Sequence, residues 1–515
     1  MATFKTLNPA TGETLAELEI ATPDQVISAV KKAAQAFPSW KSLAYQERAH
    51  YILKARDRIL QSIDEIAALI TKENGKPLTE SISADIMPVM DLATFYAAET
   101  EKILKKERLW LGKWNFMGRT SEIEYHPLGA VGIIAPWNYP FSIPCGQVMM
   151  ALIAGNTVVL KPSEFTPLIG LKIQDIFNNV GLPEGVLQTV VGDGSTGAAL
   201  IQSGVKKIFF TGSVPTGKKI MAAAAQTLTP VCLELGGKDP MIVLEDADLD
   251  VAASGAVWGA FGNSGQTCAS VERVYVDERV AEKFKKLCLE KTQKLTQGQG
   301  SDADVEMGSM TAEMQINKVE KQVEAAKQAG AVALTGGTRP QSIGYFYPPT
   351  ILDKVDHSME VMFEETFGPV LPIMTFKTID EAIAMANDSR YGLTASVWTT
   401  DIAKGKEIAK KLEAGTVTIN ECVYTYAVAQ TPWGGPKESA IGRTHGKYGI
   451  MEMVEPRHIH TNYTPKIKDF WWYGYDVKKY EMMKSLARTL FSNSIVEKMK
   501  SGLKFVWGQL TVRNI

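Results

Sequence analysis

Residues 261–270 read Phe-Gly-Asn-Ser-Gly-Gln-Thr-Cys-Ala-Ser, so Cys268 closes a loop punctuated by glycines. An apolar helical run, Ala252 to Trp258, precedes the loop, and a strand-like run, Arg273 to Val276, follows it. Glycines let backbone come close to a bound group. A loop cysteine whose pKa is lowered is a thiolate nucleophile at neutral pH. An isolated cysteine is more often a buried structural thiol, so the rest of the chain has to decide between the two. Glu234 ends an apolar strand and is followed by Leu235, Gly236 and Gly237. Its carboxylate suits a general base acting on water; a solvated strand-end charge is the plainer alternative.

Other motifs carry ligand chemistry. Lys161-Pro162-Ser163-Glu164 follows a second apolar strand, at the edge where open α/β sheets bind ligands. Lys161 can bond ribose hydroxyls or a phosphate. Glu164 would accept from a ribose 2′-hydroxyl and repel a 2′-phosphate, so the pair favours NAD over NADP; a surface ion pair is the simpler reading. Gly212-Ser213-Val214-Pro215-Thr216-Gly217 joins a strand to the helix expected over Lys218 to Ala225, and N–H groups at a helix start form an anion site. Gly192 to Gly197 also matches G-x-G-x-x-G. The acid expected about twenty residues later is missing, and this stretch reads as a tight turn into a helix. Asp246, Asp248 and Asp250 lack the glycine and the closing glutamate of a calcium loop. They read as the first turn of a helix, where acids are favourable. The six histidines fall outside the glycine-rich motifs, which counts against a cysteine–histidine hydrolase.

A chain of 515 residues has room for two or more domains. The net charge of −2 gives no global field favouring nucleic acid or membrane. The five cysteines are scattered without C-x-x-C spacing. That indicates neither a disulfide framework nor a metal site and points to a reducing, cytoplasmic compartment. No apolar signal core opens the chain, and no apolar run is long enough to span a bilayer.

Elements that would hold these residues follow from pattern. Helices are expected over Asp24 to Ala36, Ala44 to Ser62 and about Ser81 to Leu104, with an exposed hairpin over Trp110 to Tyr125. From Gly129 short apolar strands alternate with helices: Ala130 to Ile134, Thr157 to Leu160, Leu187 to Val191, Lys207 to Phe210 and Val231 to Leu235, with an apolar helix from Pro140 to Ala154. Such alternation gives a parallel sheet covered on both faces. A second α/β region runs from Pro240 to about Glu438.

Together with Pro136-Trp137-Asn138-Tyr139-Pro140, Glu364 to Pro369 and Pro432-Trp433-Gly434-Gly435, these motifs stand in an order and spacing that resemble the NAD(P)-dependent aldehyde dehydrogenase superfamily over about Leu7 to Tyr463. The resemblance implies an α/β fold with a Rossmann-type cofactor domain (1–116 and 129–237), a catalytic thiol domain (238–440) and a β arm for oligomerisation (117–128 and 441–463), and hence a homodimer or homotetramer. It makes Cys268 the nucleophile, Glu234 the general base and Asn138 an oxyanion donor. Trp137, Lys161, Glu164, Gly212, Ser213, Gly217, Leu235, Glu365 and Phe367 become the contacts for NAD, with NADP less favoured. Thiolate attack on an aldehyde, hydride loss and thioester hydrolysis then give the acid. The presence of Glu234 argues for hydrolysis over acyl transfer to coenzyme A or phosphate.

Residues 464–515 depart from that pattern. They hold ten basic residues, Arg513 among them, against four acidic ones, together with Phe470, Trp471, Trp472, Tyr473 and Phe491. Helical spacing of aromatics and lysines fits an interfacial membrane segment, with Trp471, Trp472 and Phe491 inserted, or a hydrophobic lid, or equally a helix packed on the protein's own surface or on a partner subunit. The expected enzyme is a hydrolytic aldehyde dehydrogenase acting on an apolar or long-chain aldehyde, its tail either touching the membrane peripherally or packed on protein. A small semialdehyde is the alternative substrate. A cysteine hydrolase and a non-catalytic scaffold are the alternative classes.

Overall fold

A computed structural model describes residues 2–511; Arg513 lies outside them. Two compact units form, residues 1–105 with 125–455, and residues 106–124 with 456–515.

The larger unit is built on two sheets. The first has six strands in the spatial order Ala440–Ile441, Val231–Glu234, Ile208–Thr211, Ala130–Ile134, Thr157–Lys161, Leu187–Thr189. All neighbours are parallel except the short Ala440–Ile441 strand, which runs against Val231–Glu234. The central strand, Ala130–Ile134, is buried at every residue. Continuous apolar runs such as this one belong to parallel strands covered on both faces. Strand order reverses at Ala130–Ile134, whose neighbours are Thr157–Lys161 and Ile208–Thr211. That is the switch point at which doubly wound sheets open a crevice. The helix over Ser142–Ile153 is buried along its whole length and ends against Gly155 at φ +94°, a conformation glycine adopts without strain.

The second sheet has seven strands in the order Val332–Thr335, Thr350–Asp353, Val370–Phe376, Val271–Asp277, Asp239–Val243, Thr394–Trp398, Thr416–Ile419. Only the Val332–Thr335 edge strand is antiparallel. Helix Leu249–Phe261 covers this sheet and starts at Asp248, whose carboxylate accepts from the N–H groups of Asp250 and Val251. Asp248 caps the helix and Asp250 lies in its first turn, as expected; Asp246 lies before the helix and instead accepts from the Thr399 hydroxyl and the N–H groups of Thr400 and Asp401. Gly194–Gln202 is likewise a helix, capped by Asp193. The expected Ser81–Leu104 helix forms with a π-helical turn at Ser81–Ile86 before the α-helix Met87–Ile103.

The smaller unit contains strand Glu107–Leu109, paired antiparallel with Ser121 to Ile123 of strand Arg119–Pro127, and between them a short helix, Lys113–Phe116. Strand Val454–Asn462 adds to Arg119–Pro127 and leaves an edge. Buried Arg119 is ion-paired with Asp469. Two helices, Val477–Phe491 and Ile495–Thr511, close the chain. The unit contains an open cavity of about 630 Å³ lined in part by Phe116, Met117, Ile467, Phe470 and Met482. The sequence pattern places Trp471 on an outward face; instead its ring packs edge-on against Trp114 and Phe470, at 5.5 and 4.8 Å.

Candidate active site

Cys268 follows a loop whose backbone few sequences tolerate. Helix Leu249–Phe261 ends in a tight turn in which Asn263, Ser264 and Gly265 have φ of 53°, 54° and 72°. Consecutive left-handed residues cost energy, and surrounding structure must hold them in place. Several buried groups do so. Glu80 accepts from the Asn263 N–H at 2.9 Å, Ser264 Oγ donates to the Gly308 carbonyl at 2.9 Å, and the Gln266 side chain bonds Asn263 O and Thr311 N–H. A Cβ at Gly265 would run into the Gly368 carbonyl, so only glycine fits. Cys268 emerges from this turn half-buried.

The partner groups reach it from the carboxyl ends of the first sheet. Glu234 is the last residue of its strand and is 3% exposed. The Leu235–Lys238 segment then crosses to the second sheet. At Gly237 a side chain would strike the Cys268 carbonyl, which ties the two segments together. Thr211 donates to one Glu234 carboxylate oxygen at 3.2 Å, and Thr444 donates to the other. Burial pushes the Glu234 carboxyl up to about 7, against the pull of those two hydroxyls and of Arg443. Burial also raises the Cys268 thiol, and the carboxylates of Glu234, Asp239 and Glu365 add to the rise. The resting residue is therefore a thiol, not the low-pKa thiolate the isolated loop suggests. Burial and these carboxylates outweigh the Ala269 N–H, which favours the thiolate. Asn138 lies in the turn after Ala130–Ile134, and its amide donates to the Gln266 carbonyl at 3.0 Å, leaving a second N–H for a substrate oxygen. Aromatic walls close the site: Tyr139 bonds Thr267 at 2.7 Å, and Tyr426 packs on Trp433 and His445. Burial lowers His445 to about 3, so the imidazole is neutral.

The residues proposed for the cofactor gather at the same sheet edge. Lys161 ends its strand nearly buried and pairs with the half-exposed Glu164 at 3.1 Å. Ser213 caps helix Val214–Ala225 by accepting from the Thr216 N–H, which orients a helix N-terminus outward from strand Ile208–Thr211. Gly217 lies against Leu235 so closely that a Cβ there would strike it. Trp137 and Phe367 meet edge-on at 5.4 Å, with Phe367 held at φ +55°. Glu365 accepts from the Gly237 N–H at 3.1 Å. A dinucleotide fits this set: the helix start suits a pyrophosphate, the lysine–carboxylate pair suits a ribose diol, and the aromatic pair suits a flat ring.

Sequence reasoning missed a buried layer beneath these residues. Lys76 donates to the Asn138 carbonyl at 2.8 Å and pairs with Asp85 at 2.6 Å. Asp85 accepts with its other oxygen from the N–H groups of Phe141 and Ser142. Asn263 adds a further donor to the same Asn138 carbonyl. On the opposite side Glu272 pairs with buried Lys238 at 2.7 Å and accepts from the N–H groups of Thr366 and Phe367. The only sequence signal was the type of residue, since each partner lies nine to more than a hundred positions away. Lys76→Met leaves Asp85 buried and unpaired, and the expected loss is about 3–5 kcal/mol of stability. Adding Asp85→Asn should restore part of that stability in chemical denaturation. Turnover should stay at least about tenfold down, because the turn carrying Asn138 is no longer fixed. Wild-type kcat in the folded double variant would refute the positioning role.

Two α/β sheets that bring a thiol, a buried carboxylate and a dinucleotide-shaped edge together define a thiol-dependent oxidoreductase. Residues 1–459 match the model of the aldehyde dehydrogenase family. The chain is 38% identical to the 4,4′-diapolycopene aldehyde oxidase of Methylomonas sp., over 95% of this chain and 92% of that one. It is 39% identical to the mitochondrial succinate-semialdehyde dehydrogenase of Oryza sativa subsp. japonica, over 89% and 86%. Among solved structures it is similar to the NAD+ complex of an aldehyde dehydrogenase from Bacillus cereus, with 38% identity, a TM-score of 0.86 and coverage of 90% of this chain and 94% of that one. The chain belongs to the aldehyde dehydrogenase family.

Proposed function

We propose that this enzyme oxidises an apolar, long-chain aldehyde to the carboxylic acid with NAD, through a covalent intermediate on Cys268 that Glu234 helps to hydrolyse. The observation that carries the reading is the convergence of the Cys268 loop, the Glu234 strand end and the Asn138 turn. Cys268 Sγ adds to the aldehyde carbon once its proton has passed to solvent water, and Asn138 Nδ2 with the Cys268 N–H donate to the developing oxyanion. The Lys161–Glu164 pair would hold the adenosine ribose of NAD; the nicotinamide at the other end of the dinucleotide would supply the hydride acceptor beside Cys268 and, being cationic, would offset the carboxylates that raise the thiol. Loss of hydride leaves an acyl group on sulfur. Glu234, close to half ionised near pH 7, takes the proton of the attacking water and frees acid and thiol. The half 1–116 with 129–237 serves the cofactor in this reading and the half 238–440 presents the thiol.

Glu164 decides the preference between cofactors. Glu164→Ser should raise kcat/KM for NADP relative to NAD about fivefold, the effect of about 1 kcal/mol of repulsion at a partly solvated position. An unchanged ratio would mean that Glu164 does not face the 2′ position.

The substrate class rests on the aromatic walls around Cys268 and on the tail. The match to the diapolycopene aldehyde oxidase covers more of this chain than the family model does, and so extends into residues 464–515. The basic, aromatic tail supports peripheral membrane contact, and among the described residues no helix is long and apolar enough to cross a membrane. The exposed edge strand Val454–Asn462 supports assembly into a homodimer or homotetramer, since such edges seek a pairing strand.

Truncation after Phe491 tests the substrate reading; a cut after Tyr463 would strip Asp469 from buried Arg119. The shortened enzyme should keep its kcat/KM on a short soluble aldehyde within about twofold and lose at least about tenfold on a long-chain one. Equal loss on both, or a full-length preference for a carboxylated semialdehyde, would overturn it.

A further inference from the structure

The last helix, Ile495–Thr511, is turned inside out for a helix in water. A water-exposed helix of a folded unit hides its large apolar side chains and shows polar ones. Here the inward side carries small residues around one large one, Phe505, whose ring packs on Phe470 at 5.4 Å. Ser501 is buried, Gly508 lies so close to Met482 that a Cβ would meet its side chain at 2.8 Å, and Gly502 faces Thr489. The outward side carries Ile495, Val496, Met499, Leu503, Val506 and Leu510, which are 58–81% exposed. At 100° per residue these six fall within an arc of roughly 100°. Exposed Trp507 extends the arc on one side, with Lys500 and Lys504 beyond it, and Lys498 lies roughly 60° off the other edge, while Glu497, the helix's single acid, lies away from it and accepts from Ser492. Small residues toward a neighbouring helix and large ones outward is the arrangement of a helix packed in lipid. An apolar stripe bounded by lysines is that of a helix lying in the plane of an anionic surface. Seventeen residues, roughly 25 Å at 1.5 Å per residue, suit lying on a bilayer and not crossing it.

We infer that the Leu503 face of this helix is the surface by which the enzyme inserts into anionic bilayers, the lysines pairing with lipid phosphates. The inference rests on the reading of the tail as a membrane contact and assigns it to one face. Trp471, turned inward, has no part in it, and Phe491 lies outside the stripe.

The test is flotation of the full-length enzyme with vesicles of phosphatidylglycerol and phosphatidylcholine, and with phosphatidylcholine alone. Wild type should bind the anionic vesicles at least tenfold better than the neutral ones. The pair Leu503→Glu and Val506→Glu should cut anionic binding at least tenfold, with turnover of a short soluble aldehyde unchanged as the check on folding. Lys498, Lys500 and Lys504 changed together to Gln should erase the preference for anionic lipid. No vesicle binding by wild type overturns the inference, as does concentration-dependent self-association lost in the Glu variant, which would make a second copy the occupant. Wild-type binding by the Glu variant rejects this face while leaving a tail–membrane contact standing. Failure of the long-chain preference in the truncation experiment rejects the substrate reading independently.

Discussion

Cys268→Ala is expected to lower kcat by at least about 10⁴-fold, the scale set by losing a covalent nucleophile. NAD affinity, measured by calorimetry, should stay within about threefold, because Lys161, Glu164 and the Ser213 cap are untouched. The four other cysteines cannot replace it. Cys145, Cys232, Cys288 and Cys422 are buried among core residues, with thiols raised by desolvation. Turnover within tenfold of wild type would remove Cys268 from the mechanism. The loop's geometry explains why the loss should be confined to chemistry. The left-handed turn at Asn263–Gly265 is held by Glu80, Ser264 and Gln266 rather than by the sulfur, so an alanine should leave the fold in place.

Glu234→Gln is expected to slow steady-state turnover about 10²–10³-fold while sparing the first oxidation. Rapid mixing with excess aldehyde and NAD should then show close to one equivalent of NADH in a burst, followed by a slow phase. Burst and steady state falling together would show that Glu234 is not the deacylation base. The pH dependence follows from burial. The carboxyl is raised to about 7, so it is increasingly protonated, and inactive as a base, as pH falls below that value. Wild-type hydrolysis should therefore rise with pH through about 7 and level off above it. The residual rate of the Gln variant should lack that inflection. Thr211 and Thr444 donate to the carboxylate form and hold the midpoint down.

The fold was legible where burial on both faces forces continuous apolar strands. Ala130–Ile134 is read from sequence to the residue, and its neighbours fall within one or two residues of their observed ends. The π-helical turn at Ser81–Ile86 was not legible, because no residue type in that short stretch marks an i→i+5 turn. Over 110–125 the sequence suggested a hairpin; a strand pair does form, with Lys113–Phe116 helical between the strands. At the site, Cys268, Glu234 and Asn138 stood out through type and motif. Their supports did not. Lys76 acts on a carbonyl at Asn138, Glu272 on N–H groups at Thr366 and Phe367, and Thr444 on a strand 210 residues earlier. Such contacts exist only once the sheets have brought distant segments together. The tail shows the same limit from the other side. Its charge and aromatic content were plain, but only the packed helices reveal that Trp471 turns inward and the Leu503 face outward.

The central claim is that oxidation leaves the acyl group on Cys268 Sγ. Intact-mass measurement of Glu234→Gln, quenched in acid after one turnover with NAD and a saturated fatty aldehyde, tests it directly. The account predicts about one acyl group per chain, located by peptide mapping on Cys268 and matched by an equivalent of NADH. An equivalent of NADH with unmodified Cys268, or with the acyl group on another residue, would contradict it.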